Sequence, residues 1–218
     1  VGTAYGTPSS SNLFITPQGN YGNNTQIQSQ SSVGVDLGAD WRPNDTLRVQ
    51  ATGFYEFYNN ELVSQSAGVN AVGSYTFNAP ASQHRGVVLG VDWQPLPRMI
   101  PGGRIKLSYT YDNQVYTNYT EVLSNSRLSR AFDRAGNAIP GVIPNFLNAR
   151  FLYDQPDGPA EGLGGYAEVT WRDSYWLDNA NQLKAPGYAL LNLAVHYSPP
   201  ARMGWAHRLH WYCEVQNV

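Results

Sequence analysis

The chain has 218 residues, with 14 basic and 16 acidic side chains, and it is long enough to bury a core. This near balance of charge gives no reason to expect binding to nucleic acid, which requires a basic surface. The single cysteine, Cys213, excludes an internal disulfide framework. Glycine (21) and tyrosine (15) are abundant, which favours strands and turns over helices.

Residues 1–29 are rich in Ser, Asn, Gly, Thr and Gln and show no hydrophobic period, which predicts a long loop. The pattern changes at Ser32. From there, the stretch SVGVDLGADW alternates apolar side chains, from Val33 to Trp41, with polar residues or glycine. A period of two is typical of a strand with two different faces and does not fit a helix.

Seven further segments repeat this alternation. Their apolar sides begin, in chain order, at Leu47, Val87, Ile105, Leu147, Leu163, Ala189 and Leu209. The eight predicted strands are each about nine to fifteen residues long, whereas strands in globular proteins average about five or six. A tilted strand that crosses a bilayer needs about nine to eleven residues. The lengths therefore favour strands that cross a membrane.

The two sides of each strand differ in charge. None of the apolar-side positions in these eight patterns is charged. The opposite sides carry Asp36, Asp40, Arg48, Glu56, Asp112, Arg150, Glu168 and Arg172, which we expect to pair with one another or to face an inner domain. A soluble β-sandwich also alternates, with one face on its core. A membrane barrel, apolar outside and polar inside, explains the same pattern.

Aromatic residues mark the ends of four strands. Trp41, Trp93, Tyr153 and Tyr197 each stand two or three residues before a proline. Rings with an apolar body and a polar edge are enriched at membrane–water interfaces, and proline cannot continue a strand ladder. These four residues are therefore predicted to form an interface girdle where strands of one direction leave the membrane.

The connections alternate in length. The links after the aromatic ends are the shorter ones, the tightest being RPND. Long polar loops are predicted at about 59–83 and 117–144, with a modest one near 178–185. Bacterial outer-membrane barrels have short periplasmic turns and longer extracellular loops. With this orientation the first strand begins, and the last ends, outside the cell. We therefore expect the chain to be one piece of a larger barrel.

Six segments resemble, in order and spacing, the C-terminal third of TonB-dependent outer-membrane receptors. They read SQSSVGVDLGADW, FYEFYNNELVSQ, HRGVVLGVDW, IPGVIPNFLNARFLYD, YALLNLAVHY and EVQNV. The resemblance implies an all-β fold: an antiparallel meander that forms about strands 14–21 of a 22-stranded transmembrane β-barrel, with the plug domain absent. It divides the chain into an extracellular loop region, residues 1–29, and a partial barrel, residues 30–218.

The resemblance also implies a function and partners. The expected activity is TonB-dependent uptake across the outer membrane, most often of an iron–siderophore complex. The expected partners are outer-membrane lipid, the plug and remaining strands, TonB through the absent N-terminal part, and a small-molecule chelate. No cofactor is expected in this chain. Two other readings of the residues stay open: a passive pore or adhesion-type barrel, and a secreted carbohydrate-binding β-sandwich.

Candidate ligand-binding residues lie in the predicted outer loops. They are Tyr116, Tyr119, Arg127, Arg130, Arg134, Tyr175 and Trp176. Guanidinium groups beside aromatic rings suit an anionic chelate through charge and stacking. The alternatives are a solvated loop in which Glu121 and Asp133 offset the arginines, and an upper interface girdle for the Tyr175–Trp176 pair. The histidines show no metal-ligand spacing, and no catalytic motif is present, so we expect neither a metal site nor an enzyme.

Overall fold

The computed structural model describes residues 1–16, 20–66, 74–124, 129–200, 205 and 209–218. Its elements, in chain order, are β1 (Gly2–Gly6), α1 (Ser10–Leu13), β2 (Gln30–Asn44), β3 (Leu47–Ser66), β4 (Ser74–Trp93), β5 (Gly103–Asn118), β6 (Thr120–Ser124), β7 (Ser129–Asp133), β8 (Asn145–Asp154), β9 (Leu163–Arg172), β10 (Tyr175–Trp176), β11 (Lys184–Ala185), β12 (Tyr188–Tyr197) and β13 (Trp211–Val215). No described helix has the length and apolar character needed to cross a membrane.

Nine strands form one antiparallel sheet in the order β1-β2-β3-β4-β5-β8-β9-β12-β13. The eight predicted strands correspond to β2, β3, β4, β5, β8, β9, β12 and β13, so the predicted antiparallel meander is confirmed. We call the edge with the short β2–β3, β4–β5 and β8–β9 connections the turn end, and the opposite edge the loop end.

Register sorts the side chains of the sheet onto two faces. Val35 pairs with Tyr55 on one face, while the next residue, Asp36, pairs with Phe54 on the other. The face of Val35 is apolar, yet it is not covered: Val35, Val169 and Leu193 are 49, 41 and 40% exposed. In a sandwich these residues would converge on a dry core. Within the described residues no second large sheet packs against this one, which argues against the sandwich.

The predicted loop over residues 1–29 is wrong for its first residues. Gly2–Gly6 forms β1, which pairs antiparallel with β2 from Gly2↔Gly34 to Gly6↔Gln30. A short helical turn, α1, follows it. Five residues with two glycines carry too little alternation to reveal a strand, and the pairing depends on a partner about 30 residues away in sequence. The extracellular placement of this segment stays a prediction.

The predicted long loops also contain strand structure. β3 and β4 pair as far as Ser66↔Ser74, so most of the predicted 59–83 loop continues the hairpin. The 117–144 loop contains the β6–β7 hairpin, and the short β10–β11 pair borders the 178–185 loop. In β4 the apolar–polar alternation continues at Tyr75, Phe77 and Ala79, so the loop prediction overlooked this part of the pattern.

Gly86 allows an unusually close packing in the middle of the sheet. A Cβ atom at this position would lie 2.1 Å from the carbonyl oxygen of Tyr111 and 2.6 Å from Cζ of Phe54. The Phe54 ring therefore lies over the backbone of its cross-strand neighbour. Gly53 is different, since a Cβ there would meet only the Gly86 carbonyl oxygen, at 3.9 Å.

We expect Gly86→Ala to lower the free energy of unfolding by about 1–3 kcal/mol, because the new methyl group must displace Phe54 or a strand. The matched Gly53→Ala variant should change it by no more than about 0.5 kcal/mol. Denaturant titration followed by tryptophan fluorescence measures both. Equal effects of the two substitutions would show that the close packing at Gly86 does not determine the loss of stability.

Candidate functional site

Most of the buried apolar side chains collect at the loop end instead of inside the sheet. This loop-end cluster consists of Val63, Ala79, Tyr116, Tyr119 and Ile139, with Phe77 and Val142 packed against it. The ring centroids of Tyr116 and Tyr119 are 4.7 Å apart, and those of Phe77 and Tyr119 are 5.0 Å apart. Burial raises the pKa of the Tyr119 phenol well above its usual value. The cluster is a small dry core outside the regular wall.

A buried ion pair borders the loop-end cluster. Nη2 of Arg134 lies 2.7 Å from Oε2 of Glu121, with side chains only 13% and 7% exposed. Glu121 Oε1 accepts a hydrogen bond from Asn179 Nδ2 at 3.0 Å, and Asn179 Oδ1 accepts one from the Tyr116 hydroxyl at 2.9 Å. Both carboxylate oxygens of Glu121 are thus satisfied, as a buried charge requires.

Asparagine side chains fasten two loops to each other. Asn181 Oδ1 accepts from the amide of Ala138 at 2.7 Å, and Asn181 Nδ2 donates to the Ala138 carbonyl at 2.9 Å. Asn137 Nδ2 donates to the carbonyl of Asn179 at 2.7 Å. The segment between β7 and β8 is thereby joined to the segment between β10 and β11. These hydrogen bonds hold the two segments together at the loop end.

The structure gives several predicted ligand-binding residues another role. Tyr116 and Tyr119 are 0% and 4% exposed, and Arg134 is held by Glu121. Tyr116 therefore offers no surface to a ligand in this structure. The alternative that Glu121 offsets an arginine agrees with the ion pair, although the pair is buried and not solvated. Arg130 is exposed on β7, and Arg127 lies outside the described residues.

Tyr175 and Trp176 form β10, next to the loop-end cluster. Both are half-buried. The ammonium nitrogen of Lys184 lies 4.7 Å from the centroid of the Trp176 ring, and the Trp176 carbonyl accepts from the Gly141 amide at 2.8 Å. Beside this strand, a hydrogen bond from Asn145 Nδ2 lowers the pKa of the Asp173 carboxyl. A ligand-binding role for the two aromatics stays a prediction.

The four predicted girdle residues lie at the turn end. Trp41, Trp93, Tyr153 and Tyr197 come from β2, β4, β8 and β12, which run in the same direction through the meander. Trp41 and Trp93 are 60% and 41% exposed on the apolar face. The expected alignment of aromatics along one edge is therefore present, and their contact with a membrane interface stays a prediction.

The polar face of the sheet carries cross-strand ion pairs. Arg48 Nη2 lies 2.6 Å from Asp40 Oδ2, and Arg150 Nε donates to Glu168 Oε2 at 2.7 Å. The guanidinium of Arg172 lies instead over the Phe146 ring, at 5.5 Å. The alternation predicted that charged residues on the polar sides of the strands pair with one another. The structure shows such pairs for Asp40–Arg48 and for Arg150–Glu168.

A serine, a histidine and a glutamate meet on the polar face without forming a nucleophilic triad. Nε2 of His84 lies 3.2 Å from Glu61 Oε1 and 3.4 Å from the Ser82 hydroxyl. A triad needs the carboxylate on the ring nitrogen that does not face the serine. Here both groups approach the same nitrogen, and Ser82 is 1% exposed. The described residues contain no group of three or more His, Cys, Asp or Glu side chains arranged to hold a metal ion.

Glu121, Asn179 and Asn181 are the structural residues that the sequence does not single out as a unit. Asn179 and Asn181 belong to a loop that reads as ordinary polar sequence, and their partners lie 42 to 63 residues away along the chain. No local pattern indicates such contacts. The one indication in the sequence is that Glu121 and Arg134 carry opposite charges and could therefore pair.

A single open antiparallel meander, with one uncovered apolar face and one ion-paired face, is part of a β-barrel wall. The model of the family described as "TonB dependent receptor-like, beta-barrel" matches residues 1–218. The chain belongs to this family.

Solved structures agree with this fold. The ferric yersiniabactin uptake receptor FyuA from Yersinia pestis is 18% identical with a TM-score of 0.61, and the match covers 87% of this chain and 25% of that one. The copper transporter OprC is 15% identical with a TM-score of 0.68, covering 99% and 29%. A mutant of the ferric enterobactin receptor PfeA from Pseudomonas aeruginosa is 19% identical with a TM-score of 0.61, covering 99% and 31%. At these identities the similarity shows the fold, and the chain spans about a quarter to a third of each structure.

We expect Arg134→Met to destabilise the loop end by about 3 kcal/mol, because Glu121 would remain buried without its cation. The double variant Arg134→Met/Glu121→Leu should recover part of this loss, since it leaves no unpaired buried charge. Hydrogen exchange of the backbone amides of residues 114–121 measures the local opening. Arg130→Met, on the exposed hairpin, is the control and should leave the exchange unchanged. Equal exchange in all variants would contradict a structural role for the pair.

Proposed function

We propose that this chain forms part of the wall and outer loops of an outer-membrane receptor that imports a scarce ligand with energy supplied through TonB. The apolar face would contact lipid, and the ion-paired face would surround the receptor's plug. The loop end would face the outside and the turn end the periplasm. Family membership and the similarity to named uptake receptors support this assignment.

The observation that carries the proposal is the uncovered apolar face. In water, an exposed apolar surface of this extent on a monomer would be an aggregation hazard. In a bilayer it is the surface that a barrel needs, because lipid replaces the missing protein contacts. A barrel also needs its charged groups to face away from lipid. The polar face meets this need, since its carboxylates and guanidinium groups would lie inside the barrel, paired or solvated.

The ligand we propose is an iron–siderophore complex. Two of the similar structures named above are receptors for ferric yersiniabactin and ferric enterobactin, as their names state. Copper is the second candidate cargo, because another similar structure is a copper transporter. Of the two predicted arginines that the structure describes, Arg134 is paired with Glu121, whereas Arg130 on the β6–β7 hairpin is exposed and available to an anionic chelate.

The bilayer placement predicts opposite outcomes for two neighbouring residues. Leu37→Arg puts a cation on the lipid face near mid-depth, and it should lower the free energy of unfolding in phospholipid vesicles by about 2–4 kcal/mol. Asp36→Arg places the same side chain on the polar face and should have a much smaller effect. Denaturant titration of the refolded receptor in vesicles measures both. Similar losses would contradict contact between this face and lipid.

Uptake by cells that carry the full-length receptor tests the transport function and its cargo. Cells lacking the receptor should lose growth on a ferric siderophore as the sole iron source if iron is imported, or copper accumulation if copper is imported. Deleting TonB should have the same effect as deleting the receptor. Uptake that continues without TonB would instead indicate a passive pore.

The contribution of Arg130 can be measured with the same cells. Arg130→Gln should weaken binding of the imported chelate, and the loss should be greatest at low salt because the interaction is between exposed charges. Arg98→Gln, in the β4–β5 connection at the turn end, is the matched control. Unchanged affinity for Arg130→Gln would remove this residue from the binding surface.

A further inference from the structure

Two rows of aromatic residues lie on the apolar face: the girdle with Trp41 and Trp93 at the turn end, and a second row with Tyr55 and Tyr111 nearer the loop end. Within the described residues, Arg85 is the one charged side chain on this face from the first row to the second. It lies on β4, where Tyr55 and Asn113 are its cross-strand neighbours. It is exposed, and its side chain forms no ion pair or hydrogen bond with any described residue. A cation in this setting lacks the partner that a membrane-facing charge requires.

The surroundings of Arg85 are aromatic and face outward. Tyr55, Phe57 and Tyr111 are 39, 49 and 36% exposed on the same face. The rings of Tyr55 and Phe57 meet edge to face, with centroids 4.8 Å apart. This row lies on the loop-end side of the row that contains Trp93, and β3 and β4 continue beyond it to Ser66 and Ser74. Arg85 is therefore level with a second aromatic edge, where the hydrocarbon gives way to headgroups.

The depth of Arg85 fits the headgroup region. Arg85 and Trp93 are eight residues apart on β4, which corresponds to about 26 Å along a strand. At a tilt of about 40° this is about 20 Å along the membrane normal, compared with an apolar band about 25 Å tall. An arginine side chain extends far enough to carry its guanidinium past the remaining distance into the headgroups.

Asn113 supplies a second polar group at the same place. It lies directly opposite Arg85 in the β4–β5 pairing. Its amide NH₂ donates no hydrogen bond to a described residue and is therefore available to a ligand, while its Oδ1 is a buried acceptor to which the Arg85 guanidinium, directly opposite, can donate. The guanidinium and the amide NH₂ are both donors, and a phosphate group offers several acceptor oxygens.

We propose that Arg85 and Asn113 form a binding site for the phosphate headgroup of an anionic lipid in the leaflet at the loop end. This rests on the bilayer placement proposed above and adds a specific lipid contact to it. A planar guanidinium suits phosphate because it can donate two parallel hydrogen bonds. The aromatic rings around it would pack against the upper acyl chain and leave the headgroup beside the arginine.

The test uses the full-length receptor in nanodiscs of phosphatidylcholine with increasing amounts of phosphatidic acid. Native mass spectrometry counts the phosphatidic acid retained by each variant. We expect Arg85→Gln to bind it about tenfold more weakly than the wild type. Arg85→Lys, which keeps the charge without the planar fork, should be intermediate. Arg98→Gln, a matched exposed arginine at the turn end, should bind like the wild type.

Three outcomes would overturn the site. The first is equal retention by the wild type and Arg85→Gln, provided that both enter nanodiscs and unfold at the same denaturant concentration. The second is saturable binding of inorganic phosphate by the detergent-solubilised receptor with no preference for the lipid, which would indicate a simple anion site. The third is failure of the wild type itself to enter a bilayer, which would remove the proposed function as well. The first two outcomes leave the proposed function intact.

Discussion

The structure depends on register, because register assigns each side chain of the wall to one of two media. The pairing Val35↔Tyr55 and the adjacent pairing Asp36↔Phe54 belong to one register, which runs from Ser31↔Asn59 to Trp41↔Val49 and keeps the two kinds of side chain on opposite faces. A slip of one residue would move an aspartate onto the apolar face and a valine onto the polar one. In a bilayer such a slip would expose charges to lipid, at a cost of about 2–4 kcal/mol for an arginine or lysine at mid-depth and less for an aspartate or glutamate, so the alternation favours one register.

The wall could be predicted from the sequence because its signal is local. Eight strands and their apolar sides follow from a period of two that repeats within each segment. The signal weakens outside the wall. β4 still alternates at Tyr75, Phe77 and Ala79, but the β3 segment that pairs with it does not, and β1 is too short to show a period. In these places the backbone pairing identifies the strands more clearly than the side-chain pattern does.

The loop end could not be predicted in the same way, because its contacts join distant segments. Tyr116 and Arg134 have the chemistry of ligand-binding residues, and the structure uses that chemistry internally: Tyr116 donates to Asn179, and Arg134 pairs with Glu121. A sequence shows which groups can donate or carry charge, but it does not show whether a partner from another loop has already engaged them. Exposure, as at Arg130, separates the available groups from the engaged ones.

The loop-end cluster also limits where this part of the chain can respond to a ligand. β5 runs from the wall directly into the cluster at Tyr116, and Arg134 closes the far side of the same loop. Movement of either residue would open a dry core and separate a buried ion pair. The β6–β7 hairpin lies between them, and its residues Val122, Leu123 and Phe132 are 53, 45 and 36% exposed. Glu121 lies in β6 and ties the base of this hairpin to the cluster through its ion pair with Arg134, so only the exposed residues beyond that pair are loosely packed.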